Sequence, residues 1–96
     1  MTNVDRFWNQ RYYIFERFDE GISIDEESWS TVVPEAVAEF IASRIRCDTV
    51  LDAFSGVGGV AIKLANTCYR VVANDNNKDR INCLSRNASV YCIDNI

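Results

Sequence analysis

Ninety-six residues provide at most one domain, near the lower end of what folds around a single core. A hydrophobic fraction of 48% argues against a disordered chain. No apolar run nears the ~20 residues of a bilayer span, and the polar N-terminus does not read as a signal peptide, so a soluble intracellular protein is expected. A net charge of −4 counts against extensive binding to a nucleic-acid backbone, while leaving room to recognise one terminal nucleotide through stacking and a few local cations.

Residues 4–18, VDRFWNQRYYIFERF, place Phe7, Ile14, Phe15 and Phe18 at roughly helical spacing. An amphipathic helix with its aromatics turned to a core is the plain expectation. The neighbouring Arg6, Arg11 and Arg17 would also suit a stacking pocket with anion contacts. Residues 19–33 read as a loop opened by Gly21. Pro34 then starts a helix at the position where its missing N–H costs nothing, with Glu35 at the positive end of the dipole. Val37, Phe40, Ile41 and Ile45 are its predicted buried face, and Arg46 its C-terminal neighbourhood.

From Thr49 the hydrophobic period changes. Residues 49–54 form a predicted buried parallel strand, residues 60–66 a helix, residues 70–74 a second strand, and residues 78–91 a helix with Ile81, Leu84, Ala88 and Tyr91 on one stripe. The order β-α-β-α opens a doubly wound sheet. Cys47, Cys68, Cys83 and Cys92 include no CxxC pair and the chain has no histidine, so zinc is not expected. The thiols read as reduced and buried.

The turn between first strand and helix is VLDAFSGVGG, residues 50–59. Glycines there let backbone amides approach a ligand closely. The pattern lacks the third glycine of a dinucleotide fingerprint, which weighs against a nicotinamide oxidoreductase half-domain. It also lacks the Lys-Ser/Thr of a phosphate loop. Asp52 at the strand end would repel a pyrophosphate but suits a cationic group. Asp75 closes the second strand nineteen positions after Gly56, the place of an acid that grips ribose hydroxyls. Ribose and a cation without phosphate describe S-adenosyl-L-methionine. Asp75 with Asn76 and Asn77 also reads as a helix N-cap region, and the two roles are compatible.

WNQRY at residues 8–12, FERFDEGI at 15–22, Trp29, Pro34-Glu35, DAFSGVGG at 52–59 and Asp75 stand in the order found in trimethylguanosine synthases. Over essentially its whole length the chain resembles that family, the RNA cap guanine-N2 methyltransferases. The resemblance implies a Rossmann-like class I methyltransferase fold. Residues 1–48 would form a helical extension contributing to cofactor and cap sites, and residues 49–96 the first half of the S-adenosylmethionine-binding domain. It implies S-adenosyl-L-methionine as cofactor, 7-methylguanosine-capped snRNA and snoRNA as partners, no metal, and a place in the nucleus or cytoplasm. Asp52, Phe54 and Gly56 match the first cofactor motif and Asp75 the ribose-binding acid. Phe15 and Pro34 match positions close to the cofactor, and Arg6 stands where the family has a Lys meeting cap phosphates. Val33 departs from a usual Thr, and Ser55 from a common Cys.

The family's Pro-Pro-Trp-Gly segment, which orients the guanine amine, has no counterpart among residues 1–96. No catalytic residue is therefore assigned. The chain alone is expected to be inactive, with the rest of the domain supplied by a missing C-terminal half. The alternative from a different class is a non-catalytic cofactor-binding module or remnant.

Overall fold

The computed structural model describes residues 1–96. In chain order the elements are α1 (Asn3–Phe7), α2 (Arg11–Ile14), α3 (Glu35–Ser43), β1 (Thr49–Asp52), α4 (Gly59–Thr67), β2 (Arg70–Ala73) and α5 (Lys78–Val90). Short 3-10 turns lie at Trp8–Gln10, Phe18–Glu20 and Glu27–Ser30. β1 and β2 pair in parallel, with Thr49 opposite Arg70 and Asp52 opposite Ala73, and α4 is the crossover between them. The result is a mixed helix–strand domain around a two-stranded parallel sheet.

The N-terminal segment differs from the single helix expected for residues 4–18. Thr2 and Asp5 close a capping box that starts α1, but α2 ends at Phe15, whose backbone is extended at φ −137° and ψ 113°. Aromatic side chains surround this segment, and one straight helix can turn only one face inward. Breaking it at Phe15 buries the adjacent pair Ile14 and Phe15 together. Trp8 meets Phe18 edge-on at 5.6 Å and lies 6.1 Å from Trp29, so the stretch folds back on the loop that follows it.

The buried face of α3 is only partly the predicted one: Ile41 and Ile45 are half-buried, with Ile45 against the core, but the rest of the face is rotated. Phe40 is 61% exposed and Val37 faces solvent, while Ala38 and Ala42 point inward. α3 packs against α4, whose Ala61, Leu64 and Ala65 share a core cluster with Ala42. Small residues on both helices allow close approach, and this outweighs the burial of larger side chains on the other face. The helix ends at Ser43, whose hydroxyl donates to the Phe40 carbonyl at 2.6 Å.

The apolar run of β1 reads as a buried strand if helices flank it, and here only one of its faces is covered. Val50 and Val71 face the helices, whereas Leu51, 62% exposed, and its partner Val72 face outward. Helices cover one side of this sheet only. The thiols likewise differ from expectation, since Cys68 is buried but Cys47 and Cys92 are exposed.

The loop at 31–33 reaches α4 because residue 59 is glycine. A Cβ at Gly59 would sit 2.9 Å from the Val33 carbonyl oxygen and 3.0 Å from Val32 Cγ2. Two clusters make the core. One joins Ile14, Phe15 and Trp29 to Val57, Ile62 and Ala88, and the other joins α3, α4 and β2. At the C-terminus the Asn95 carbonyl accepts from the Val71 amide at 2.9 Å, and its side-chain amide donates to the Ala65 and Tyr69 carbonyls.

Candidate ligand cleft at the strand ends

Beyond the last ladder pair, the Asn74 amide donates to the Asp52 carbonyl at 2.9 Å, and the Ser55 amide to the Asn74 carbonyl at 2.9 Å. The glycine turn is thereby tied to the residue leaving β2. Asp75 finishes the arrangement: its carboxylate accepts from the Gly56 amide at 3.0 Å and the Asn77 amide at 2.9 Å. Asn77 then caps α5 through its own side chain. The helix-cap role and the placement of Asp75 at the strand end thus coexist.

These ends border a cleft of about 430 Å³, a size typical of small-molecule sites. Asp52, Phe54, Gly56 and Asp75 line it together. Gly56 has φ +54° and nothing within 4 Å of the place a Cβ would occupy, so its backbone presents open space to the cleft. The Phe54 ring is 91% exposed beside it. Ser55, in the same wall, has a buried hydroxyl with no hydrogen-bond partner. Phe15, Pro34 and Arg6 do not line the cleft. Phe15 is buried in the cluster that holds Val57, and Pro34 begins α3 next to the lining residue Val33. Arg6 lies exposed on α1, its guanidinium 5.6 Å from the Phe7 ring centre.

Burial raises the Asp52 carboxyl above the ordinary aspartate range, against the pull of the Phe54 N–H, and the like charge of Asp75 adds to the rise. The folded protein therefore binds the Asp52 proton more tightly than the unfolded chain does. Stability contributed by this group falls as pH rises from about 3.9 through the raised value. Asp52→Asn keeps an oxygen acceptor and removes the charge. It is expected to raise the melting temperature by about 2–4 °C at pH 7 and to leave it unchanged near pH 3, as calorimetry across that range would show.

The facing wall comes from the segment before α3 and from α5: Ser28, Thr31, Val32, Val33 and Arg80. Of these, the sequence singled out only Val33. Arg80 donates to Asp25 at 3.2 Å and to Glu27 at 2.7 Å, so its charge is already committed. Burial opposes the Asp25 charge, but bonds from the Ser28 hydroxyl and the Arg80 guanidinium outweigh it and hold the carboxyl low. The available signal was the acid run at 25–27 against a basic first turn of α5, which becomes specific only once the two are known to meet.

In open α/β sheets ligands bind outside the carboxyl ends of the strands, and the glycine turn with Asp52 and Asp75 lies at that edge. The family model described as RNA cap guanine-N2 methyltransferase matches residues 47–96, which carry both strands, the turn and Asp75, and the chain belongs to that methyltransferase family. Over 94 residues it is 40% identical to the trimethylguanosine synthase of Schizosaccharomyces pombe, covering 94% of this chain and 39% of that protein. Over 95 residues it is 30% identical to the trimethylguanosine synthase of Saccharomyces cerevisiae, covering 93% of this chain and 30% of that one. The chain thus spans less than half the length of these curated relatives. No helix is long and apolar enough to cross a membrane, and no group of three or more His, Cys, Asp or Glu side chains is placed to hold a metal ion.

Proposed function

We propose that these residues are the cofactor-binding front part of an enzyme that methylates the guanine N2 of 7-methylguanosine caps on snRNA and snoRNA, in the nucleus or cytoplasm. The observation that supports this most is the convergence of Asp52, Gly56 and Asp75 on one cleft at the strand ends. S-adenosylmethionine, when bound, brings a methyl group on a positively charged sulfur. Asp52 fits such a ligand because burial makes its charge costly and a nearby cation would offset that cost. Asp75 fits ribose hydroxyls because a carboxylate offers about four lone-pair sites, and the Gly56 and Asn77 amides use two of them. The exposed Phe54 ring flanks the site, Phe15 and Pro34 support it from behind, and Arg6 offers a cation for cap phosphates on the extension formed by residues 1–48.

Methyl transfer itself belongs to the larger domain these residues help build, since a chain with a single proline carries no Pro-Pro-Trp-Gly segment. What this part contributes is alignment, the main source of rate in an in-line displacement. Calorimetric titration with S-adenosylhomocysteine tests the reading. Binding is expected, and Asp75→Ala is expected to weaken it by about 1–3 kcal/mol with an unchanged far-ultraviolet spectrum. A folded chain that fails to bind, or that binds NADH more tightly, would overturn the cofactor assignment. Unaltered affinity in the variant would remove Asp75 from it.

A further inference from the structure

Cys47 lies two positions before Thr49, and Cys68 two before Arg70, the residues that open the parallel ladder. The pairing continues backward past the strands. The Arg70 amide donates to the Asp48 carbonyl at 2.9 Å and the Tyr69 amide to the Cys47 carbonyl at 3.2 Å. Neighbouring strands run about 4.8 Å apart, within the Cα separation of roughly 4.4–6.8 Å that a disulfide spans. The side chains already face each other, with the sulfurs 3.4 Å apart. Cys47 is exposed to an oxidant from solution, whereas Cys68 is only 6% exposed behind it.

We propose that Cys47 and Cys68 form a reversible disulfide that clasps the entry of β1 to the entry of β2. In the forming reaction, the Cys47 thiolate attacks one sulfur of a small disulfide such as oxidised glutathione, giving a mixed disulfide and releasing one glutathione thiol. The Cys68 thiolate then attacks Cys47 Sγ and releases the second. Two protein thiols lose two protons and two electrons, and one glutathione disulfide becomes two thiols. Cys68 suits the second attack. Its sulfur already lies 3.4 Å from Cys47 Sγ, so the second attack needs no rearrangement of the strand entries. The clasp sits at the start of the strands, roughly 13 Å of β1 away from the glycine turn, so it closes the loop 47–68 without entering the cleft.

The full chain is incubated with oxidised glutathione and digested with trypsin without reductant. Peptides 47–63 and 64–70 should be recovered as one species two hydrogens lighter than their sum, and separate after dithiothreitol. The oxidised chain should melt roughly 10 °C higher than the reduced one, because the link restricts the unfolded ensemble. Cys68→Ser should instead retain one glutathione on Cys47. If that variant does not fold, the wild-type peptide map still decides. Linkage through Cys83 or Cys92, disulfide-linked dimers on a non-reducing gel, or mixed disulfides alone would overturn the pairing. An oxidised chain melting no higher than the reduced one would overturn the clasp.

Discussion

Asn87→Ala is expected to destabilise the protein by about 3–5 kcal/mol, the largest effect of any single side chain considered. Asn87 is completely buried within α5. Its side-chain oxygen accepts from the Ser23 amide at 2.7 Å, and its nitrogen donates to the Ser23 carbonyl at 2.9 Å and the Val57 carbonyl at 2.9 Å. One amide group thus joins three parts of the chain: the loop after Gly21, the glycine turn, and the last long helix. Alanine strips partners from three backbone groups and leaves a void. Each unmet buried group costs about 1–3 kcal/mol, with partial relief where water enters. Urea denaturation should show the loss, and a loss below about 1 kcal/mol would contradict the argument. Asn87→Asp is the informative companion. It nearly preserves shape and keeps the acceptor for Ser23, but removes both donor hydrogens and buries a charge, so it should be at least as damaging as alanine.

Asn87 also marks where sequence reasoning stops. On the helical stripe of Ile81, Leu84, Ala88 and Tyr91 it reads as an ordinary polar neighbour, because its partners lie sixty-four and thirty positions away. The β-α-β-α order was legible because it depends on local periodicity. Asp52, Gly56 and Asp75 were legible because parallel strands place their ends together by geometry alone. The bend at Phe15 and the alanine face of α3 were not, since each depends on what the segment packs against rather than on its own pattern. The same holds for the far wall of the cleft. Ser28, Val32 and Arg80 reach it only after the loop at 19–33 folds across α5. Local rules therefore describe the half of the cleft that the glycine turn builds, and long-range packing supplies the other half.

Glu35→Ala is expected to cost about 3 kcal/mol, for a related reason one turn beyond Asn87, where Tyr91 closes the C-terminal end of α5. Pro34-Glu35 looks like a routine helix start, with an acid placed for the dipole. In the fold Glu35 does more. Its carboxylate accepts from the Glu16 amide at 2.9 Å and from the Tyr91 hydroxyl, and forms an ion pair with Lys63 at 3.1 Å. The Glu35 and Lys63 side chains are only 11% and 13% exposed. Tyr91 in turn accepts from the Arg17 amide at 3.2 Å, so the N-terminal segment, α3, α4 and the end of α5 meet at one carboxylate. Burial opposes the charge on Glu35, but the bonds from Tyr91, the Glu16 amide and Lys63 outweigh it and hold the carboxyl below the ordinary range. The Tyr91 hydroxyl is pushed well above its ordinary value, first by burial and then by its bond to Glu35. A depressed carboxyl contributes stability that is fully present above the unfolded value of about 4.3 and is lost as pH falls through the folded value. Wild type should therefore lose stability on acidification through that window, and Glu35→Ala should show a flatter profile there. Truncation also leaves Lys63 buried without its partner. The double variant Glu35→Ala, Lys63→Met should consequently lose less than Glu35→Ala alone, because an unpaired buried ion costs more than an absent pair. Equal or additive losses in that cycle, measured by thermal melting at pH 7, would show that the ion pair is not what holds the junction together.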